Sequence, residues 1–190
     1  MVETMTPLVH QGVSGAPLCD LPFRAMQFAR EAHAKQARKY TGTPYVEHLG
    51  EVAGITASVA SHEQLPTMVA TAWLHDFVED QRAPDDIDGG RALDQVRDLF
   101  GEAVAYGVSL LSDLEQGNRA QRKAQGCLRL FKAPAWVQTI KCADLISNTA
   151  SIALHDPKFA VVYLAEKRAL LDVLTQAHPQ LRAIAYGQQP

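Results

Sequence analysis

The segment Leu74-His75-Asp76-Phe77-Val78-Glu79-Asp80 places four ionisable or metal-binding side chains within six residues, inside an apolar run. On a helix, residues three and four apart share a face. Asp76, Glu79 and Asp80 are therefore expected to converge, with His75 one step round and over Glu79. Buried charges must be paired, hydrogen-bonded or bound to metal. The plainer alternative is an acidic helix end turned to solvent. Carboxylates are poorly placed at a helix's negative end, however, unless something positive compensates them.

Two further segments carry candidate chemistry. Asp144 and Asn148 are four apart in Thr139-Ile140-Lys141-Cys142-Ala143-Asp144-Leu145-Ile146-Ser147-Asn148, on one face of an otherwise apolar stretch. Taken alone they suit a structural hydrogen-bonded pair. Residues 36–48 form a basic segment punctuated by Gly42 and Pro44 that leads into His48. Arg38 there could stack its planar guanidinium on a base or grip a phosphate with a forked pair of hydrogen bonds. In isolation Arg38 and Lys39 would read as a solvated turn.

These segments need elements to hold them, and helical periodicity runs through most of the chain. Phe23, Met26, Phe28, Ala29 and Ala32 mark a first helix, and a second is expected from near His48 to Ser61. Pro66 suits the start of a third, which carries Met68 through Val78. Residues 82–90 are expected to be a loop. Helices then follow over 91–100, 102–114, 118–131 and 134–154, with Pro157 and Pro179 punctuating a C-terminal pair. Convincing alternating strands are missing, so the expectation is one all-α, multi-helix domain over residues 21–190, without a substantial β-sheet. Residues 1–20, with Pro7, Gly12, Gly15 and Pro17, are expected to be a loosely held leader.

The 190 residues suit a single domain with a sizeable core. A net charge of −3 argues against general nucleic-acid binding, so an anionic ligand would need a local basic patch. No apolar stretch is long enough to span a membrane, and the N-terminus lacks the pattern of a signal peptide. Cys19, Cys127 and Cys142 are scattered and odd in number, which favours a reducing, cytoplasmic setting. His33 lies near the candidate site and either orients a ligand or packs in the core. His10, His62, His155 and His178 fall at termini or breaks and are expected in solvent. Trp73 and Trp136 are expected in the core.

Together, the three segments resemble the HD hydrolase domain of the RelA/SpoT family, in particular its small stand-alone alarmone hydrolases. The resemblance rests on Arg38, Lys39, Gly42, Pro44, Tyr45 and His48, on His75, Asp76, Glu79 and Asp80, and on Lys141, Ala143, Asp144 and Asn148. Phe100-Gly101 and Arg122-Lys123 also match, and the order is kept over about residues 22 to 175. Leu49, Gln81 and Leu145 depart from the family pattern, and the loop at 85–91 is longer.

The resemblance implies metal ligands His48, His75, Asp76 and Asp144, and a single divalent ion, Mn²⁺ in the family. It implies that Glu79 and Asp80 serve catalysis. Arg38, Lys39, Asn148, Arg122, Lys123 and Tyr163 would bind a small nucleotide substrate. The implied reaction is hydrolysis of the 3′-pyrophosphate of guanosine tetra- or pentaphosphate (ppGpp or pppGpp). No synthetase domain follows in the chain, so the opposing activity is not expected. The alternatives are hydrolysis of an adenosine alarmone or of a nucleotide 3′- or 2′-phosphate, or a catalytically weak nucleotide sensor. The base preference and the oligomeric state are left open.

Overall fold

The computed structural model describes residues 20–188. The expected leader lies outside them except for Asp20. Among the described residues the regular structure is helical, and the single β feature is an isolated antiparallel bridge between Ala37 and Pro44.

Helix α1 (Leu21–Ala32) starts with Pro22 in its first turn and buries Ala25 and Ala29. It ends at His33, whose N–H still donates to the Ala29 carbonyl. The chain then makes a tight loop in which the Arg38 N–H donates to the Thr43 carbonyl and Gly42 sits at φ +70°. That backbone is open to glycine and strained for other residues. The loop feeds α2 (Tyr45–Ala57), which starts earlier than its apolar pattern suggests because Pro44 supplies the turn into it. Helix α3 (Leu65–Leu74) is apolar all round and buried, with Met68, Val69 and Ala72 in one core cluster and Ala70 and Leu74 in another.

The expected continuation of α3 to Val78 is not what the structure shows. The helix stops at Leu74, His75 and Asp76 form a turn, and the short α4 (Phe77–Gln81) starts afresh. Helices α5 (Gly90–Phe100) and α6 (Glu102–Leu111) follow, divided at Gly101 as expected. The α6 helix ends three residues before the expected Leu114, because Ser112 turns to extended backbone. Asn118 caps α7 (Arg119–Phe131) through a full capping box with Gln121, which satisfies two otherwise free backbone donors. Helices α8 (Ala135–His155), α9 (Pro157–Val173) and α10 (Pro179–Gly187) complete the order.

Two core clusters share α3 between them. One joins α2, α3, α6, α7, α8, α9 and α10, and the other joins α1 to α6. Trp73 and Trp136 pack against the core as expected. The Trp136 indole packs against Gly107, where an added Cβ would sit 2.4 Å from the indole Cη2 and 2.8 Å from Thr71 Cγ2. Gly107→Ala should therefore destabilise the protein by about 1–3 kcal/mol through overpacking. A urea melt checks it, and an unchanged midpoint would mean that the indole moves aside freely.

Candidate functional site

Helix α2 delivers His48, the turn between α3 and α4 delivers His75 and Asp76, and the middle of α8 delivers Asp144. The four meet. His48 Nε2 lies 3.5 Å from Asp76 Oδ2 and 3.4 Å from Asp144 Oδ1. His75 Nε2 lies 3.0 and 3.7 Å from the same two oxygens. His48, His75 and Asp76 each offer one donor atom within 4.8 Å of the others.

The other ring nitrogens decide what faces inward. His75 Nδ1 lies 2.8 Å from the Ala72 carbonyl, which can only accept, so Nδ1 carries the proton. Ser147 donates its hydroxyl to Glu51 Oε2 at 2.5 Å and therefore accepts from His48 Nδ1 at 2.8 Å. In neutral rings both Nε2 atoms are then lone pairs. Both are buried and neither has a hydrogen-bond partner. Two lone pairs facing two carboxylates form a nest of acceptors, and a divalent cation fits it. Without one, burial would depress the imidazoles, but Asp76 and Asp144 outweigh it and raise both. Burial likewise opposes ionisation of the carboxylates. The imidazoles nevertheless hold Asp76 low, and Lys141 with the imidazoles holds Asp144 low.

Beside this centre opens a cavity of about 390 Å³ between α4, α7, α8 and α9. Glu79, Asp113 and Lys141 line its inner end, while Arg119, Arg122 and Lys123 line the α7 side. Burial, reinforced by Asp76 and Asp113, pushes the Glu79 carboxyl up to about 7. Its Oε1 accepts the Asp113 N–H at 2.6 Å, a bond made available because α6 ends early. Lys141 Nζ sits 2.9 Å from Asp144 Oδ2. Asp144, Asp113 and Glu79 together keep that ammonium charged against its burial.

The expected convergence of Asp76, Glu79 and Asp80 is only partial: Asp76 and Glu79 both line the cavity, and Asp80 does not. Once the helix breaks at the His75–Asp76 turn, Glu79 faces the cavity and Asp80 turns away from it. Asp80 Oδ2 accepts from Gln36 Nε2 at 2.8 Å, and Gln36 in turn accepts from Gln81 and contacts His33 Nδ1 at 2.7 Å. His33 is buried and stacks on Tyr45. His62 and His155 are exposed as expected, His178 is half-buried, and His10 lies outside the described residues.

The loop and helix residues divide similarly. Asn148 lines the cavity and donates to Asp144 Oδ1 at 2.6 Å. Arg38 is not a free loop cation, since its guanidinium reaches Glu51, Ser147 and Asn148 at 3.3–3.5 Å. Lys39 is exposed and lies over the Tyr40 and Phe159 rings. Arg122 donates to the Gly117 carbonyl, Lys123 pairs with Asp113, and Tyr163 lines the cavity against Thr149.

Sequence reasoning passed over several of these participants. Lys141 and Tyr45 stood inside quoted motifs, and their spacing of three from Asp144 and His48 was the available signal. Asp113 and Glu51 carried none. Tyr45 donates its O–H to Asp76 Oδ2 at 2.6 Å, fixing the carboxylate that faces both imidazoles. Tyr45→Phe should weaken divalent-metal affinity by about 10–100-fold while the fold persists, the usual worth of a group that orients a ligand. Metal titration by calorimetry checks it, and unchanged affinity would leave the phenol as packing alone.

A model of the family described as HD domain matches residues 25–186, and the chain belongs to that family. Among its relatives, a probable guanosine-3′,5′-bis(diphosphate) 3′-pyrophosphohydrolase of Synechocystis is 34% identical over 154 residues, which cover 78% of this chain and 19% of that one. A guanosine-3′,5′-bis(diphosphate) 3′-pyrophosphohydrolase of Aquifex aeolicus is 30% identical, over 68% of this chain and 17% of its own. A GTP pyrophosphokinase of Myxococcus xanthus is 28% identical, over 72% and 18%. The chain thus spans less than a fifth of these curated relatives. A solved structure described as "A metazoan ortholog of SpoT hydrolyzes ppGpp and plays a role in starvation responses" superposes with a TM-score of 0.74. It is 23% identical, and the match covers 92% of this chain and 94% of that one. That likeness shares the all-α fold.

Proposed function

We propose that this chain is a metal-dependent phosphohydrolase that cleaves the 3′-pyrophosphate from ppGpp or pppGpp with water, releasing pyrophosphate and GDP or GTP. The observation that carries the reading is the pair of unpartnered Nε2 atoms facing two carboxylates at the edge of a cation-rimmed cavity. The names of the cyanobacterial and Aquifex relatives support the substrate.

His48, His75, Asp76 and Asp144 would hold one divalent ion, and a mixed imidazole–carboxylate set suits Mn²⁺. Such an ion lowers the pKa of a bound water and polarises a phosphoryl oxygen. Glu79, the carboxylate that faces the cavity, accepts the proton of the attacking water. Asp80 acts from behind, through the Gln36 bond that fixes α4 against the α1–α2 loop. Asn148 holds the ribose or phosphate region, and Arg122 and Lys123 bring positive charge to the phosphates. Arg38, fixed between α2 and α8, offers its guanidinium face to the base, with Lys39 and Tyr163 at the edges of the nucleotide. A cytoplasmic location agrees with such a substrate.

The test is a screen of the purified protein with Mn²⁺ against ppGpp, pppGpp and their adenosine counterparts, with products separated by ion exchange. Pyrophosphate and GDP in equal amounts are expected. Release of single phosphates, or no turnover of any guanosine alarmone, would overturn the reading.

A further inference from the structure

The α9 wall of the cavity sets an anion against the cations of α7. Arg119, the first residue of α7, donates from Nε and Nη2 to Glu166 Oε1 and Oε2 at 2.6 and 2.7 Å. Glu166 belongs to α9, so this fork spans the two walls, and both residues line the cavity. The Arg119 guanidinium also lies 5.3 Å from the centre of the Phe159 ring, which fixes its plane. Among the described residues, Glu166 makes no other side-chain bond. The pair is half-open to solvent, with side-chain exposures of 47% and 24%. An ion pair so placed adds little to stability. It does determine what this cation of the rim can bind.

A phosphate offers a guanidinium the same planar pair of acceptors as a carboxylate. We infer that Arg119 is a phosphate-binding residue of this cavity and that Glu166 is its built-in competitor. A polyphosphate engages Arg119 only by displacing the Glu166 carboxylate, and the walls are clasped together while no ligand is bound. The pair holds the fork in place beforehand, and at the same time it weakens binding by the strength of the bond that must be exchanged. The identity of the ligand as a nucleotide polyphosphate rests on the phosphohydrolase reading. The exchange itself does not.

Calorimetry with inorganic tripolyphosphate as the probe tests the exchange on the purified protein, alongside KM for ppGpp. Glu166→Gln should bind tripolyphosphate roughly threefold to tenfold more tightly, because the carboxylate's claim on Arg119 is removed. Arg119→Ala should bind about tenfold less tightly, as for a lost bond between charged groups. Adding Glu166→Gln to Arg119→Ala should change little. Unchanged or weaker binding in Glu166→Gln overturns the inference, as does an equal gain with and without Arg119. If tripolyphosphate behaves as expected and ppGpp is not hydrolysed, the clasp stands and the substrate assignment fails.

Discussion

Asp76→Ala should strip the protein of its divalent ion and of its turnover together. Asp76 Oδ2 lies against both imidazole Nε2 atoms, and Tyr45 aims it there. Removing it deletes one of two carboxylates and leaves the Tyr45 hydroxyl without its acceptor. An ion that polarises a phosphoryl group contributes several kcal/mol to the transition state, so its loss should lower kcat by about 10³-fold or more. Metal per chain by mass spectrometry, measured on the batch used for kinetics, checks both halves. Stoichiometric metal with full turnover would remove Asp76 from the ligand set.

Glu79→Gln should keep the metal and lose kcat by roughly 10²-fold or more, the typical worth of a positioned acid–base group. Burial and two neighbouring carboxylates lift its pKa to about 7, close to the value that suits a base at neutral pH. A base must be ionised, so activity should fall as pH drops through about 7. A bound cation nearby would move that limb lower. The substitution should abolish the limb. If only KM changes, Glu79 binds substrate and does not take the proton.

The meeting of His48, His75, Asp76 and Asp144 was legible because each member sat in a short pattern whose order along the chain matched a known arrangement. Nothing in the periodicity around Asp144 required it to meet His48. The turn at His75 and Asp76 was not legible. Residues 70 to 78 hold neither Gly nor Pro, and their apolar pattern continues as a helix would. Consecutive residues on a regular helix point about 100° apart. His75 and Asp76 nevertheless reach one point, from a turn whose backbone stays in the right-handed helical region and which nothing in the local pattern announces. The placement of Asp80 follows from the same turn. Arg38 was legible as a cation but not as a fixed one, since Glu51, Ser147 and Asn148 reach it from two other helices. The all-α architecture and most helix limits followed from the spacing of apolar residues and from Pro and Gly, which act locally.

The proposed ligands come from α2, from the α3–α4 turn and from α8, three segments that the chain visits far apart. An ion shared by them stitches the fold, so metal supply and folding form one equilibrium. At a free ion concentration a hundred times its Kd, that coupling stabilises the native state by about 2.7 kcal/mol. Net stabilities of domains are only about 5–15 kcal/mol, so this is a large share. Starved of metal, the chain keeps its nest of facing carboxylates without the cation between them and spends more time open. Cellular abundance of the protein, set by proteolysis of the open form, would then follow the metal as closely as its catalysis does.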